Sequence, residues 1–259
     1  MVATLLNRKT KTIDMTKEIT KLKDDKHYYG DFGKQYLSNS DIMILLTDPK
    51  QFRKDKEMTK AMLLGRYFHT AMLEPNKLTS EEFISIDASS RNTKKYKESI
   101  LENKRSILML DKELHDINKA ISTMKNNLEF YEEIYDEENK FEVPGIQEIM
   151  GILWKGKADV VCKDIIIDLK TTSNISDFRW SARKYNYDSQ AYIYQCLFGK
   201  PVVFYVVDKL TFQLGIFHPS KEFVLAGKEK VEKAIEVYNT FFSEKPTEDI
   251  DNYVHREIL

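Results

Sequence analysis

In the stretch GKADVVCKDIIIDLKTT, Gly156 to Thr172, Asp159, Asp168 and Lys170 stand among valines and isoleucines that read as buried β-structure. If Lys163 and Asp164 form a two-residue hairpin turn, Cys162 pairs with Ile165, Val161 with Ile166, and Asp159 falls opposite Asp168. Directly opposed side chains in an antiparallel pair have Cβ atoms about 4.5–5.5 Å apart, where like charges repel. A divalent cation between the carboxylates would turn that repulsion into ligation. Strand alternation adds Lys170 to the face of Asp168 and sends Ile165, Ile167 and Leu169 to the other. Carboxylate oxygens suit Mg²⁺, with Mn²⁺ as a substitute. The lysine could orient or help deprotonate an attacking water and offset charge on a pentavalent phosphorane. A bare D-x-K is also the pattern of a same-face ion pair; the isoleucines before it and the registered Asp159 favour the metal reading. A slip of one residue would move Asp159 to the other face.

The elements that must hold these residues follow from pattern and punctuation. YLSNSDIMILLTDPKQF predicts a helix that starts after a Ser/Asn cap and stops before Pro49, and KAMLLGRYFHTAMLEP predicts a second ending near Pro75. EEFISID suggests a short strand. From about Lys94 to Glu138 the chain is charged, free of Gly and Pro, and helical in character. There Leu114, Ile117, Ile121, Met124, Leu128, Tyr131 and Tyr135 recur at intervals of three and four. That stripe fits the buried face of a helix on its own domain better than a coiled-coil seam. FEVPGIQEIMGILWKGKADVVCKDIIIDLKTT is a β-rich centre of several strands, SDFRWSARKYNYDSQAYIYQCLFG returns to helix, and PVVFYVVD and FQLGIFHP are two more strands. A last amphipathic helix runs from about Lys221 to Phe242. The expected fold is one α/β domain over residues 31–245, a central mixed sheet flanked by helices with a helical insertion at about 90–138. Residues 1–30 are expected as a polar, loosely ordered lead-in and 246–259 as a polar tail.

The chain has 259 residues, enough for a substantial core, with 42% hydrophobic and 31% charged side chains and a formal net charge of −1. That balance does not announce a nucleic-acid partner, although a local basic lining would be averaged away. Cys162 and Cys196 are too few for a disulfide framework or a four-cysteine metal site, so a reducing cytoplasm is the expected location. No signal-peptide core or membrane-length apolar run is evident, and neither secretion nor membrane insertion is expected.

The triplet Asp159, Asp168 and Lys170 resembles the core motif of the PD-(D/E)xK nuclease superfamily, with Ala158 where the motif often has proline. More of the chain, from about Tyr36 to Asp208, resembles its RecB-like branch and the RecE-type exonucleases of phage recombination systems. LLGRYFHTAMLEP resembles the G-x-x-x-H segment of that branch and makes His69 its histidine. YNYDSQAYIYQ supplies a Q-x-x-x-Y, Gln190 and Tyr194, four apart on one helical face. The resemblance implies a metal set of His69, Asp159, Asp168 and the Leu169 backbone carbonyl. Apart from the resemblance, Glu148, two strands before Asp159, is the best remaining acid for a third metal-site carboxylate, and it fits a solvated strand residue beside Gln147 equally well. The resemblance also implies that Lys170 assists the attacking water while Gln190 and Tyr194 support the site. The activity implied is Mg²⁺-dependent 5′→3′ digestion of double-stranded DNA ends, leaving a 3′ single strand for an annealing protein, by a ring-shaped homo-oligomer in the cytoplasm of a bacterial host. No iron–sulfur cluster is expected. The alternatives are an endonuclease of the same superfamily, which would cut a closed circle, and a catalytically inert nuclease-fold subunit that binds DNA or has a structural role.

Several other residues admit a functional and a plain reading. Tyr185, Tyr187, Tyr192 and Tyr194 form an aromatic cluster that packing explains by default. Arg53, Arg66, Arg179, Arg183 and Lys184 could contact phosphates, although surface salt bridges are the commoner fate. Ser38 or Ser40 could hold a phosphate at a helix N-terminus, but capping is sufficient explanation.

Overall fold

The computed structural model describes residues 15–255, so the first fourteen residues of the expected lead-in and the last four of the expected tail lie outside it. Residues 15–30 are not the loose segment their composition suggests. They form the helices α1 (Met15–Lys21) and α2 (Asp25–Tyr29), followed by α3 (Asp31–Lys34). Helices this short do not persist alone. They are held because Leu22, Tyr28 and Tyr36 pack with Ile146 of the sheet, and because Lys155 Nζ donates to the Tyr28 carbonyl.

Next comes α4 (Asn39–Thr47), which starts where the Ser38 N–H donates to Asp41 at 2.8 Å and ends before Pro49. Then α5 (Lys60–Leu73) is capped by Thr59, which accepts from the Met62 N–H at 3.2 Å. The charged region that follows is divided: β1 (Ser85–Ile86), α6 (Lys94–Asn103), β2 (Met109–Leu110) parallel to β1, α7 (Asp111–Asn126) and α8 (Leu128–Ile134). The apolar stripe holds through α7, where Ile117, Ile121 and Met124 are buried, and then loses its phase. Asn127 breaks the helix and caps α8, so Phe130 and Ile134 turn inward while Leu128 and Tyr131 are exposed.

The sheet is built from β3 (Lys140–Ile149), β4 (Ile152–Val161), β5 (Ile166–Thr172), β6 (Val202–Asp208) and β7 (Leu214–Phe217), hydrogen-bonded in that order. Within this five-stranded sheet only β5 and β6 pair in parallel, and the helices α9 (Phe178–Lys184) and α10 (Tyr187–Phe198) make the crossover between them. After β7 the chain ends in α11 (Lys221–Phe241). Alternation sends Ile166, Phe204 and Val206 to one face with α4, α9, α10 and α11, and Ile167, Leu169, Val203, Tyr205 and Val207 to the other with α5, α7 and α8. The result is a mixed α/β domain of three layers. Among the described residues no helix is long and apolar enough to cross a membrane.

Two hairpins set the register around the site. Lys163 and Asp164 form the second turn: the Cys162 N–H donates to the Ile165 carbonyl at 3.0 Å and Val161 pairs with Ile166. The first turn is Met150–Gly151, both at positive φ (52° and 80°), as a tight antiparallel reversal requires. It pairs Ile149 with Ile152 and places Glu142 across from Asp159, between the pairs Phe141↔Val160 and Val143↔Ala158.

Candidate metal centre

Glu142, Asp159 and Asp168 thus occupy one row across three neighbouring strands. The ladders are interrupted there, because Glu142 has φ +50° and the β4–β5 pairing stops at Val160↔Ile167. The side-chain alternation of β4 also slips at this point, Ala158 facing the α10 layer and Val160 the α7 layer. Backbone released from the ladder lets Asp159 swing its carboxylate toward the next strand. Its Oδ2 accepts from the Leu169 N–H at 2.7 Å, and His69 Nδ1 of α5 lies 3.3 Å from the same oxygen.

Donor atoms of His69, Glu142 and Asp159 all lie within 4.8 Å of one another. Glu148, expected as the further carboxylate, is exposed beside the Met150–Gly151 turn, opposite Leu153. At about 3.4 Å per residue it is roughly 20 Å along β3 from Glu142. The acid beside Asp159 is therefore Glu142. Leu169 contacts the site through its N–H, and its side chain belongs to the core.

Asp168 is 1% exposed and already engaged on both oxygens: Gln190 Nε2 donates to Oδ1 at 2.6 Å, and Lys170 pairs with Oδ2. Tyr194, one turn along α10 from Gln190, donates its hydroxyl to the Lys157 carbonyl at 2.8 Å. Gly156 makes that approach feasible, since a Cβ there would lie 2.6 Å from Leu197 Cδ1 and 2.7 Å from Tyr194 Cε1. Lys157 pairs with Asp25 of α2 and lies 3.7 Å from Glu142.

The electrostatics are those of a crowded acidic site. Burial, reinforced by the charge of Asp159, pushes Glu142 up to about 7 against the pull of Lys157 and His69. Burial likewise raises Asp168, to about 6, with Lys170 opposing and Asp159 adding. Asp159 is buried too, but the charge and hydrogen bond of His69, then Lys170 and the Leu169 N–H, hold it below its ordinary value. Burial disfavours the imidazolium of His69, yet Asp159 keeps its pKa above the usual histidine range. Burial also works against the ammonium of Lys170, and Asp168 holds it up at about 12. Burial first, and the charge of Asp159 after it, hold these two carboxyls toward their protonated forms, and a cation beside them would favour the ionised forms. One imidazole and two carboxylates are a donor set that a divalent cation fits.

A family model described as a PDDEXK-like domain of unknown function (DUF3799) matches residues 45–248. Among solved structures, the chain is similar to a crystal structure of a "Putative exonuclease" from Eubacterium rectale, with 19% identity and a TM-score of 0.62 over 91% of this chain and 95% of that one. That level of likeness concerns the fold. A second structure, SSO0001, aligns at TM-score 0.31 with 17% identity over 68% of this chain and 86% of its own, and carries no argument. No curated protein matches the chain.

Proposed function

The chain belongs to the PDDEXK-like family that matches residues 45–248, and on that premise we propose that it is a metal-dependent deoxyribonuclease acting as an exonuclease on double-stranded DNA ends. The observation that carries the reading is the convergence of His69, Glu142 and Asp159 donors beside the Asp168–Lys170 pair. Those three residues would hold the ion, with Asp168 adjoining. When bound, the cation supplies Lewis-acid polarisation of the scissile phosphate and lowers the pKa of a water.

The remaining work falls to the chain itself. Asp168 fixes the Lys170 ammonium, and Gln190 fixes Asp168, so the cation of the lysine points at one place without side-chain search. There it donates to a phosphate oxygen or the attacking water and offsets charge as the phosphorus becomes five-coordinate. The Leu169 N–H fixes one oxygen of Asp159, and Tyr194 anchors β4 beside it. In this reading digestion proceeds 5′→3′ and leaves a 3′ single strand for an annealing protein, as in the RecE-type enzymes that the motifs resemble.

The test is digestion of a linear duplex labelled at either its 5′ or its 3′ end, beside a closed circle, with Mg²⁺, Mn²⁺ or EDTA. Early metal-dependent release of the 5′ label, an intact circle and inert Asp168→Ala and Lys170→Ala variants support the proposal. A nicked circle makes the enzyme an endonuclease, and no cleavage with either ion overturns the reading.

A further inference from the structure

Helix α9 carries a surface that the metal centre does not use. Phe178 and Ala182 bury its inner side, whereas Arg179, Trp180, Arg183, Lys184 and Tyr185 are all exposed. Trp180 is 62% exposed and Tyr185 54%, whereas the second tryptophan, Trp154, is fully buried. Solvating two large rings within six residues is unfavourable unless something covers them.

The cations beside them contact rings: Arg179 lies 4.8 Å from the centre of Trp180, Arg183 5.2 Å from Phe223 and Lys184 5.9 Å from Tyr185. No carboxylate pairs with these three cations among the described residues. The aromatic line then continues inward. Trp180 and Lys184 are neighbours at i, i+4, Tyr185 and Tyr187 stand 6.2 Å apart, and the Lys170 ammonium lies 4.7 Å from the ring of Tyr187. The strip therefore leads from the surface to the lysine of the centre.

We propose that Arg179, Trp180, Arg183, Lys184 and Tyr185 form a platform for single-stranded DNA whose path continues past Tyr187 into the metal centre. Exposed rings flanked by unpaired cations match a strand with free base faces and a charged backbone. A duplex offers no free base faces along its length, so the chemistry selects an unpaired strand. This inference rests on the nuclease reading above and adds a site to it.

Trp180 also provides the probe. In EDTA, where no cleavage occurs, an oligothymidylate titrated into the full-length protein should quench the exposed tryptophan and leave Trp154 emission unchanged. With a labelled oligonucleotide, Trp180→Ala and Tyr185→Ala should each weaken binding by about five- to a hundredfold, and Trp180→Phe should restore most of it. Replacing Arg179, Arg183 and Lys184 together with alanine should flatten the slope of log affinity against log salt by about 2.

Affinities within twofold of wild type for both aromatic variants, with duplex digestion in Mg²⁺ intact, would overturn the platform and leave the nuclease reading standing. Loss of binding in those variants while wild type digests nothing would uphold the platform and sink the nuclease reading. A change in solution mass on Trp180→Ala, with oligonucleotide affinity unchanged, would make the strip an interface between copies and overturn the proposal.

Discussion

Replacing Glu142 with glutamine should make the metal-free protein more stable and the metal-loaded protein no more so. The Glu142 side chain is 19% exposed, and its carboxyl is pushed from 4.5 up to about 7. Because the folded pKa lies above the unfolded one, the folded state keeps a proton that the unfolded chain releases between those values. Stability therefore falls as pH rises from about 4.5 to 7, and the full penalty stands above 7. At about 1.4 kcal/mol per unit the ceiling is about 3 kcal/mol, which partial exposure reduces to about 2. For a chain of this size that is about 4–8 °C in Tm. In EDTA at pH 8, Glu142→Gln should melt above wild type by that amount, and at pH 4 the two should coincide. At a hundred times its Kd, Mg²⁺ should add about 2.7 kcal/mol to wild type and little to the variant. Glu148→Gln should track wild type within about 0.5 kcal/mol throughout. The reasoning fails if Glu142→Gln melts below wild type in EDTA at pH 8, or if Glu148→Gln is the variant that loses the Mg²⁺ response.

Gln190→Ala removes the donor to Asp168 Oδ1 and should slow digestion about 10- to 100-fold in a single-turnover assay while the protein stays folded by circular dichroism. Glu113 accepts from Arg91 through two bonds of 2.7 Å and pairs with Lys60 at 2.8 Å; burial opposes its ionisation, but these partners hold it down at about 2. Its folded pKa is depressed, so its contribution stands above about 4.5 and is lost as pH falls toward 2. Urea denaturation should show Glu113→Gln less stable by about 1–3 kcal/mol at pH 7, the gap closing below pH 4. Gly156→Ala forces a methyl against Leu197 and Tyr194 and should cost about 1–3 kcal/mol, read as a lower Tm.

Counting from Lys163–Asp164 places Val161 against Ile166 and brings Asp168 and Lys170 to one face, because a tight turn fixes register by itself. Gln190 and Tyr194 were legible as a pair one helical turn apart, although the former reaches Asp168 and the latter a backbone carbonyl. Glu142 is reached only by counting from the other turn. Met150–Gly151 has a glycine in its second position between apolar residues, and reversal there sets Glu142 across from Asp159. Glu148 is closer in sequence, but proximity along a strand says nothing about which residue faces the partner. The α1–α3 segment was illegible for a different reason: its polar, lysine-rich sequence holds few apolar residues, and its order depends on a sheet more than a hundred residues away. The break between α7 and α8 turns on Asn127, whose side chain caps the second helix by accepting from the Phe130 N–H.

The centre draws on α5, β3, β4, β5 and α10, so its residues come from positions 69 to 190. His69 and Asp159, in contact in the folded protein, are separated by ninety positions, and the carboxylates meet only after two hairpins close. Loop-closure entropy of that size is recovered only when the sheet and both helical layers assemble together. A chain emerging from the ribosome therefore carries every donor long before it carries the site. On the proposed nuclease reading, hydrolytic capacity switches on with cooperative folding, and a truncated product lacking β5 stays inert toward the nucleic acid around it.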